Sequence, residues 1–266
     1  MTFKHGTGNV WQIGKFEQLF RKTRFFIWSL DSTPASKLPH VVPDYWRGSA
    51  SLGSRILTNS NRWRNDSRGF DQFEWVRDLR AFGGSQARSR ARQLIESWID
   101  NNSNWRAESW QPDIMGQRVA NLIFCYDWYA PSASEDFQTK LTRAIALQAR
   151  CLALDWPRLY DRTAQLTALK GLVVGQSALG AKPEHLAALL DLVLPLVDQL
   201  IQADGGHKSR MPDIHLKLMR DLVEIRNAAS SSGVETAAQL DKKIAQMASI
   251  CRMWRHADGQ FARFNG

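Results

Sequence analysis

The sequence predicts an all-α protein built from antiparallel helical hairpins with an irregular N-terminal arm. Three observations carry that expectation. Apolar residues recur at helical spacing through most of the chain. Strand signals are nearly absent, since alternation never persists and β-branched residues are sparse. The breaks between helices are a few residues long, which makes sequential helices antiparallel neighbours.

The elements follow in order. An amphipathic helix is expected from about Lys15 to Trp28. It leads into STPASKLPHVVPDYWRGSASLGSR, whose proline, serine and glycine predict an extended arm wrapping the body. The division expected is therefore 1–68 for helix and arm and 69–266 for the helical body, packed as one unit. Phe73, Trp75, Val76 and Leu79 share one face of a helix from Phe70 to Phe82, which Gly83-Gly84 stops. Ser85 is placed to cap the next helix, to about Ile99. Further helices are expected at 113–128, from Ser132 or Ser134 to Leu154, and at 162–179, 183–202, 212–230 and 234–254.

Composition narrows the function classes. A 44% apolar chain of 266 residues folds around a sizeable core. Cys125, Cys151 and Cys251 sit in apolar helical patterns, which predicts buried free thiols and neither a disulfide framework nor a metal site. The net charge of +9 suits an anionic partner, yet the arginines are scattered through amphipathic helices. No compact basic recognition helix is present, so no nucleic acid is expected as partner. Eleven tryptophans are many for this length. Most belong in interhelical seams, although Trp63, Trp75, Trp98, Trp105, Trp110 and Trp128 also include candidates for stacking on sugar rings. No run approaches the roughly 20 apolar residues of a membrane span. The N-terminus has only the short apolar run FFIWSL, so a cytoplasmic protein is expected from the residues alone.

Chemistry concentrates in LIQADGGHKSRMPDIHLKLMRDL, 200–222. Asp204-Gly205-Gly206 is a helix stop, and Pro212 with Asp213 suits the first turn of the next helix. Between them stand His207, Lys208 and Arg210, with His215 just beyond. A histidine directly after two glycines is expected to be accessible. HADGQFARF at 256–264 echoes the same turn, as repeated corners around one rim of a helical barrel would. His185 and His256 read as surface residues.

Taken together, FEWVRDLRAFGG (73–84), PDIMGQRVANLI (112–123), LTALKGLVVG (166–175), DGGHKSRMPDIHLKLMRDLVEIR (204–226), RHADGQFARFNG (255–266) and the arm motif VVPDYWRG (41–48) resemble the heparinase II/III family. The resemblance covers nearly the whole chain and concerns the family's N-terminal helical domain. It implies an incomplete (α/α) toroid followed by a β-sandwich, with substrate in the cleft between them. This chain ends at FNG, about where the sandwich would begin, so the C-terminal β-sandwich is expected to be missing from it. The implied activity is a polysaccharide lyase acting on uronic-acid glycans, with an acidic polysaccharide as partner and no cofactor. Periplasm or cell envelope is the compartment the resemblance implies.

Such lyases work by β-elimination: the C5 proton leaves while the bond to the C4 oxygen breaks. The uronate carboxylate must be neutralised, and a base and an acid must stand at the two ends. The family's Asn-His pair falls on Ala164 and Gln165, and its tyrosine on Ile214. Glutamine can bind a carboxylate but takes no proton, and isoleucine does neither. The candidate catalytic set is thereby His207, His215 and Gln165, with Arg210, Lys208 and Lys170 as candidate substrate-binding cations. Lys170, inside an apolar run, is expected to snorkel outward, close to the cleft. The departures keep a second reading open, a non-catalytic glycan-binding or scaffold domain on the same fold.

Overall fold

The computed structural model describes residue 11 and the segments 13–31, 36–58 and 67–255. Among these residues there is no strand, only helices and one isolated bridge between Ile201 and His207. The expectation of an all-α class is met. None of the helices is long and apolar enough to cross a membrane.

The N-terminal helix is in fact two. α1 (Lys15–Arg21) ends at Lys22, and the Thr23 hydroxyl caps α2 (Arg24–Leu30) by accepting from the Phe26 N–H. The arm is not wholly extended either, because α3 (Ala50–Thr58) forms within it and packs on the body through Gly53 and Ile56. Before α3, the arm is pinned by Asp44 and by the Ser49 N–H, which donates to Asp78 Oδ1 at 2.7 Å.

The body alternates inner and outer helices. α4 (Ser67–Gln72) and α5 (Trp75–Phe82) are separated at Phe73, whose backbone takes a left-handed φ of 63°. This one residue breaks the single helix expected over 70–82. α6 (Gly84–Asn101) starts at Gly84, so Ser85 lies inside the helix instead of capping it. α7 (Pro112–Phe124) is followed by the short α8 (Tyr126–Tyr129), and α9 (Glu135–Asp155) is capped by Ser134. α10 (Arg162–Ala178) is capped by Asp161. The helix expected over 183–202 is divided into α11 (Pro183–Leu190) and α12 (Val193–Leu200). α13 (Pro212–Ser231) and α14 (Ala238–Met253) close the described chain.

α10 is the hub, packed between α7 and α13 and backed by α9, α11 and α12. α9 packs on α7, α6 packs on α5, α8 and α9, and α14 packs on α13. The inner helices are buried on nearly every side, and α7 is buried along its whole length, Gln117, Arg118 and Asn121 included. A helix buried all round is normally apolar, so these polar residues must be satisfied internally.

The α7–α10 crossing is closer than side chains permit. A Cβ built on Gly171 would stand 2.3 Å from the Gly116 Cα, and one on Gly116 would stand 2.7 Å from the Thr167 carbonyl oxygen. Backbone therefore packs on backbone at the centre of the ring. The tryptophans fill the seams: Trp75, Trp98, Trp105 and Trp110 are buried, while Trp63 lies outside the described residues. The three cysteines are buried and free, and burial pushes the Cys125 thiol up to about 12.

The crossing generates a stability prediction. Gly171→Ala is expected to cost roughly 3 kcal/mol, the upper end of the overpacking range, because its methyl meets main chain that cannot rotate away. Urea unfolding followed by circular dichroism would measure it, and a loss under about 0.5 kcal/mol would show that the helices separate freely.

Candidate functional site

The polar residues of the inner helices meet in one network. Lys170, fully buried on α10, donates to Gln117 Oε1 and Asp221 Oδ1, each at 2.7 Å, and pairs with Glu224 Oε2 at 2.9 Å. Glu224 Oε1 accepts from Arg77 Nη2 at 2.9 Å. Arg77 reaches Asn121 Oδ1 at 2.5 Å and Asp44 Oδ2 at 2.8 Å, and Arg80 joins Asp44 at 2.5 Å. Five elements are thereby tied together: the arm, α5, α7, α10 and α13.

Charge balance follows from burial. Desolvation pushes the Asp221 carboxyl up, but the ammoniums of Lys170 and Lys217 outweigh it and hold the group well below the usual carboxylate range. Asp44 is likewise lowered, its burial outweighed by Arg77 and Arg80. Lys170 does not snorkel outward as its apolar surroundings led one to expect. Two buried carboxylates and an amide hold it in place.

Gln117 and Asp221 carry this network to the floor of a cleft of about 420 Å³. Trp46 from the arm, Gln72 and Glu74 from the α4–α5 break, and Gln117 from α7 form one side. Asp213, Leu216, Lys217, Arg220 and Asp221 of α13 form the other. The Arg220 guanidinium lies 5.6 Å from the Trp46 ring centroid and donates to Glu224 at 3.2 Å. Lys217 donates to Thr167 Oγ1 at 2.5 Å and to Asp221 Oδ2 at 3.1 Å. Each of these two cations already faces a carboxylate, and neither histidine nor tyrosine is among the described lining residues.

The sequence-predicted histidines form a separate cluster. His207 was expected to be accessible, yet it is 3% exposed, because its backbone bridges to Ile201 and closes the Asp204–Gly206 turn beneath it. Gly205, at a φ of 85°, makes that turn. The His207 N–H donates to His215 Nδ1 at 3.2 Å, and His215 Nε2 reaches the Met247 carbonyl at 3.0 Å. An Nδ1 that accepts leaves the proton on Nε2, so His215 donates to Met247. His207 Nδ1 accepts from the Ser209 N–H at 3.1 Å, which puts its own proton on Nε2, where no partner is found among the described residues.

His215 lies on the face of α13 turned to α14 and Trp254, away from the cleft. Burial lowers the pKa of both rings, and the neighbouring charges of His215 and Lys208 lower His207 further. Arg210 is half-exposed and held by Asp204 at 2.6 Å and by Gln202; Lys208 is exposed. Gln165 is buried in the first turn of α10 and accepts from Arg162 at 2.7 Å. His185 is exposed, and His256 lies outside the described residues with the 256–264 echo.

Of the six candidates, the structure brings only Lys170 to the cleft, beneath its floor. Arg77, Asp44, Gln117, Asp221 and Glu224 were not singled out. Two signals were present: Asp221 and Glu224 at helical spacing with cations four residues before each, and an unexplained Asp44 in VVPDYWRG.

Two predictions follow. Lys170→Met leaves Asp221 and Glu224 buried with one cation fewer, so it is expected to cost about 3–5 kcal/mol in chemical unfolding. The loss should partly reverse in Lys170→Met combined with Asp221→Asn. The second concerns pH. Both histidines are neutral when folded and have folded pKa values below the unfolded one, so the unfolded chain binds more protons below about pH 6.5. Stability should therefore fall as pH drops from 7 to 5, and the slope should flatten in His215→Asn. A further loss below about pH 4 belongs to Asp221, whose depressed pKa stabilises the fold only while the carboxylate stays ionised. Thermal unfolding across that pH range would check both.

Comparisons with known proteins place this geometry. No family model matches the chain. FtsZ-localized protein C of Caulobacter vibrioides is 32% identical over 197 residues, 73% of this chain. The chain spans about a third of that relative's length, 34%. A heparinase III structure superposes with a TM-score of 0.57 at 13% identity, covering 87% of this chain and 44% of that one. The heparan sulfate lyase HepC of Pedobacter heparinus gives 0.56 at 12% identity, covering 79% and 39%. A second heparinase III structure gives 0.56 at 14% identity, covering 94% and 40%. The chain thus carries a heparinase-like helical domain, an incomplete toroid of paired helices.

Proposed function

We propose that this helical domain is a non-catalytic binding scaffold on a heparinase-like fold, and that it works in association with FtsZ. The observation that carries the first part is the cleft floor. Its buried ionisable groups are committed to one another, and the described lining residues include no histidine or tyrosine to serve as the acid–base pair. β-Elimination needs a base at C5 and an acid at the leaving oxygen. His207 and His215 are spent on holding a helix corner against α14. The cations that would neutralise a uronate, Lys217 and Arg220, are answered by Asp221 and Glu224. The second part is supported by the likeness to FtsZ-localized protein C, which is far stronger in sequence than the likeness to any of the lyase structures.

A second reading retains glycan binding in the cleft. Trp46 offers an indole face, and Gln72 and Gln117 offer amides, a mixture suited to a sugar ring. On this reading any elimination of an acidic polysaccharide would draw its acid and base from outside the described residues.

Two measurements separate the readings. Incubation with heparan sulfate and other uronic-acid polysaccharides is expected to produce no ultraviolet-absorbing unsaturated uronate; its appearance would restore the lyase reading. Polymers of Caulobacter vibrioides FtsZ are expected to carry the chain into the pellet on centrifugation. A chain left entirely in the supernatant would sink the scaffold proposal.

A further inference from the structure

A second hollow, of about 530 Å³, lies between α2, the end of α6 and α9, and shares no described lining residue with the cleft. That volume is ordinary for a small-molecule site. Its wall is mainly apolar, from Ile27 of α2, Trp98 and Ile99 of α6, Trp110 of the α6–α7 loop, and Ala144 and Leu147 of α9. Buried groups fix this wall. Trp98 Nε1 donates to Asp71 Oδ1 at 2.7 Å, and the Arg118 guanidinium stands 4.1 Å from the Trp98 ring centroid. Arg118 Nε also donates to the lining Gln148 at 2.6 Å.

Two polar groups of the lining are left without a partner. Trp110 is 2% exposed, and its Nε1–H is buried with no acceptor among the described residues. A buried donor in that state costs stability until an acceptor reaches it. At the rim, Arg143 is paired with Asp31 and Lys140 with Asp100. Asp136, also on the lining, has no ion pair among the described residues, so three carboxylates face two cations.

From this juxtaposition we infer that the hollow binds a small organic cation that carries an aromatic ring and a hydrogen-bond acceptor. The ring packs on the wall of Trp98, Ile99 and Leu147. The acceptor takes the Trp110 N–H, and the positive charge meets the surplus carboxylate of Asp136. An anion of the same shape would meet that surplus with the wrong sign, and a hydrocarbon would leave the Trp110 N–H unanswered. The occupant touches α2, α6 and α9 together, so its binding raises the stability of their packing. The site is separate from the cleft and independent of what the cleft binds.

Three benzoyl amides test this: procainamide with a cationic tail, benzamide with none, and hippurate with an anionic one. Titration calorimetry should rank their affinities in that order, and saturation-transfer NMR should place the benzene protons against the protein. Asp136→Asn is expected to narrow the gap between procainamide and hippurate about threefold. Trp110→Phe, which keeps a ring and removes the N–H, should weaken all three about fivefold. Ala144→Trp should fill the hollow and abolish binding. Asp136 is exposed, so its variant keeps the test open should a wall substitution fail to fold. Binding of none of the three at millimolar concentration would overturn the inference, as would hippurate binding as tightly as procainamide. Affinities unmoved by both Asp136→Asn and Trp110→Phe would do so too. A dimer in sedimentation that Ala144→Trp dissolves would assign the hollow to a second copy of the chain and overturn it as well.

Discussion

A lysine ammonium removed from water must be neutralised where it stands, and in this ring the position is Lys170, at the centre of the most buried helix pair. Its answer comes from two carboxylates of α13 and an amide of α7. Of these, Glu224 in turn meets Arg77, and Arg77 meets Asp44 from the arm. The chain of obligation decides which helices face inward and where the arm crosses. Buried ion pairs are weak sources of net stability, so the apolar seams hold the ring together while the ions select one arrangement of it. The backbone contact of Gly116 with Gly171 permits that selection, since it brings Gln117 within reach of Lys170.

Most helices could be read from the sequence because burial on one face writes a 3.6-residue period. The interruptions could not. Phe73 sits at a left-handed φ without being glycine, and Thr23 caps a helix inside what scans as one amphipathic run. Neither leaves a break in hydrophobicity. The cleft was less legible than the fold for a related reason. Lys170 looked like a snorkelling side chain because its partners lie about fifty residues away, on helices whose pairing no local pattern reports. His207 looked accessible because two glycines precede it, yet those glycines let the chain fold back and cover the ring.

The two polar clusters of α13 do different work although they share a helix. His215 and the residues a turn apart from it face α14, while Lys217, Arg220, Asp221 and Glu224 face the ring. A single helix therefore joins a corner fixed by neutral imidazoles to a charged floor. Neutral imidazoles suit the first because the Met247 carbonyl and the His207 N–H are both satisfied without a buried charge.

The three thiols add a constraint of another kind. Each is enclosed, unbridged and disfavoured as a thiolate, the form that oxidants and metals attack. The covalent framework of the domain is accordingly the same in reducing and in oxidising surroundings. Whatever selects its place of work must be read from its surface, since its sulfur chemistry imposes no preference.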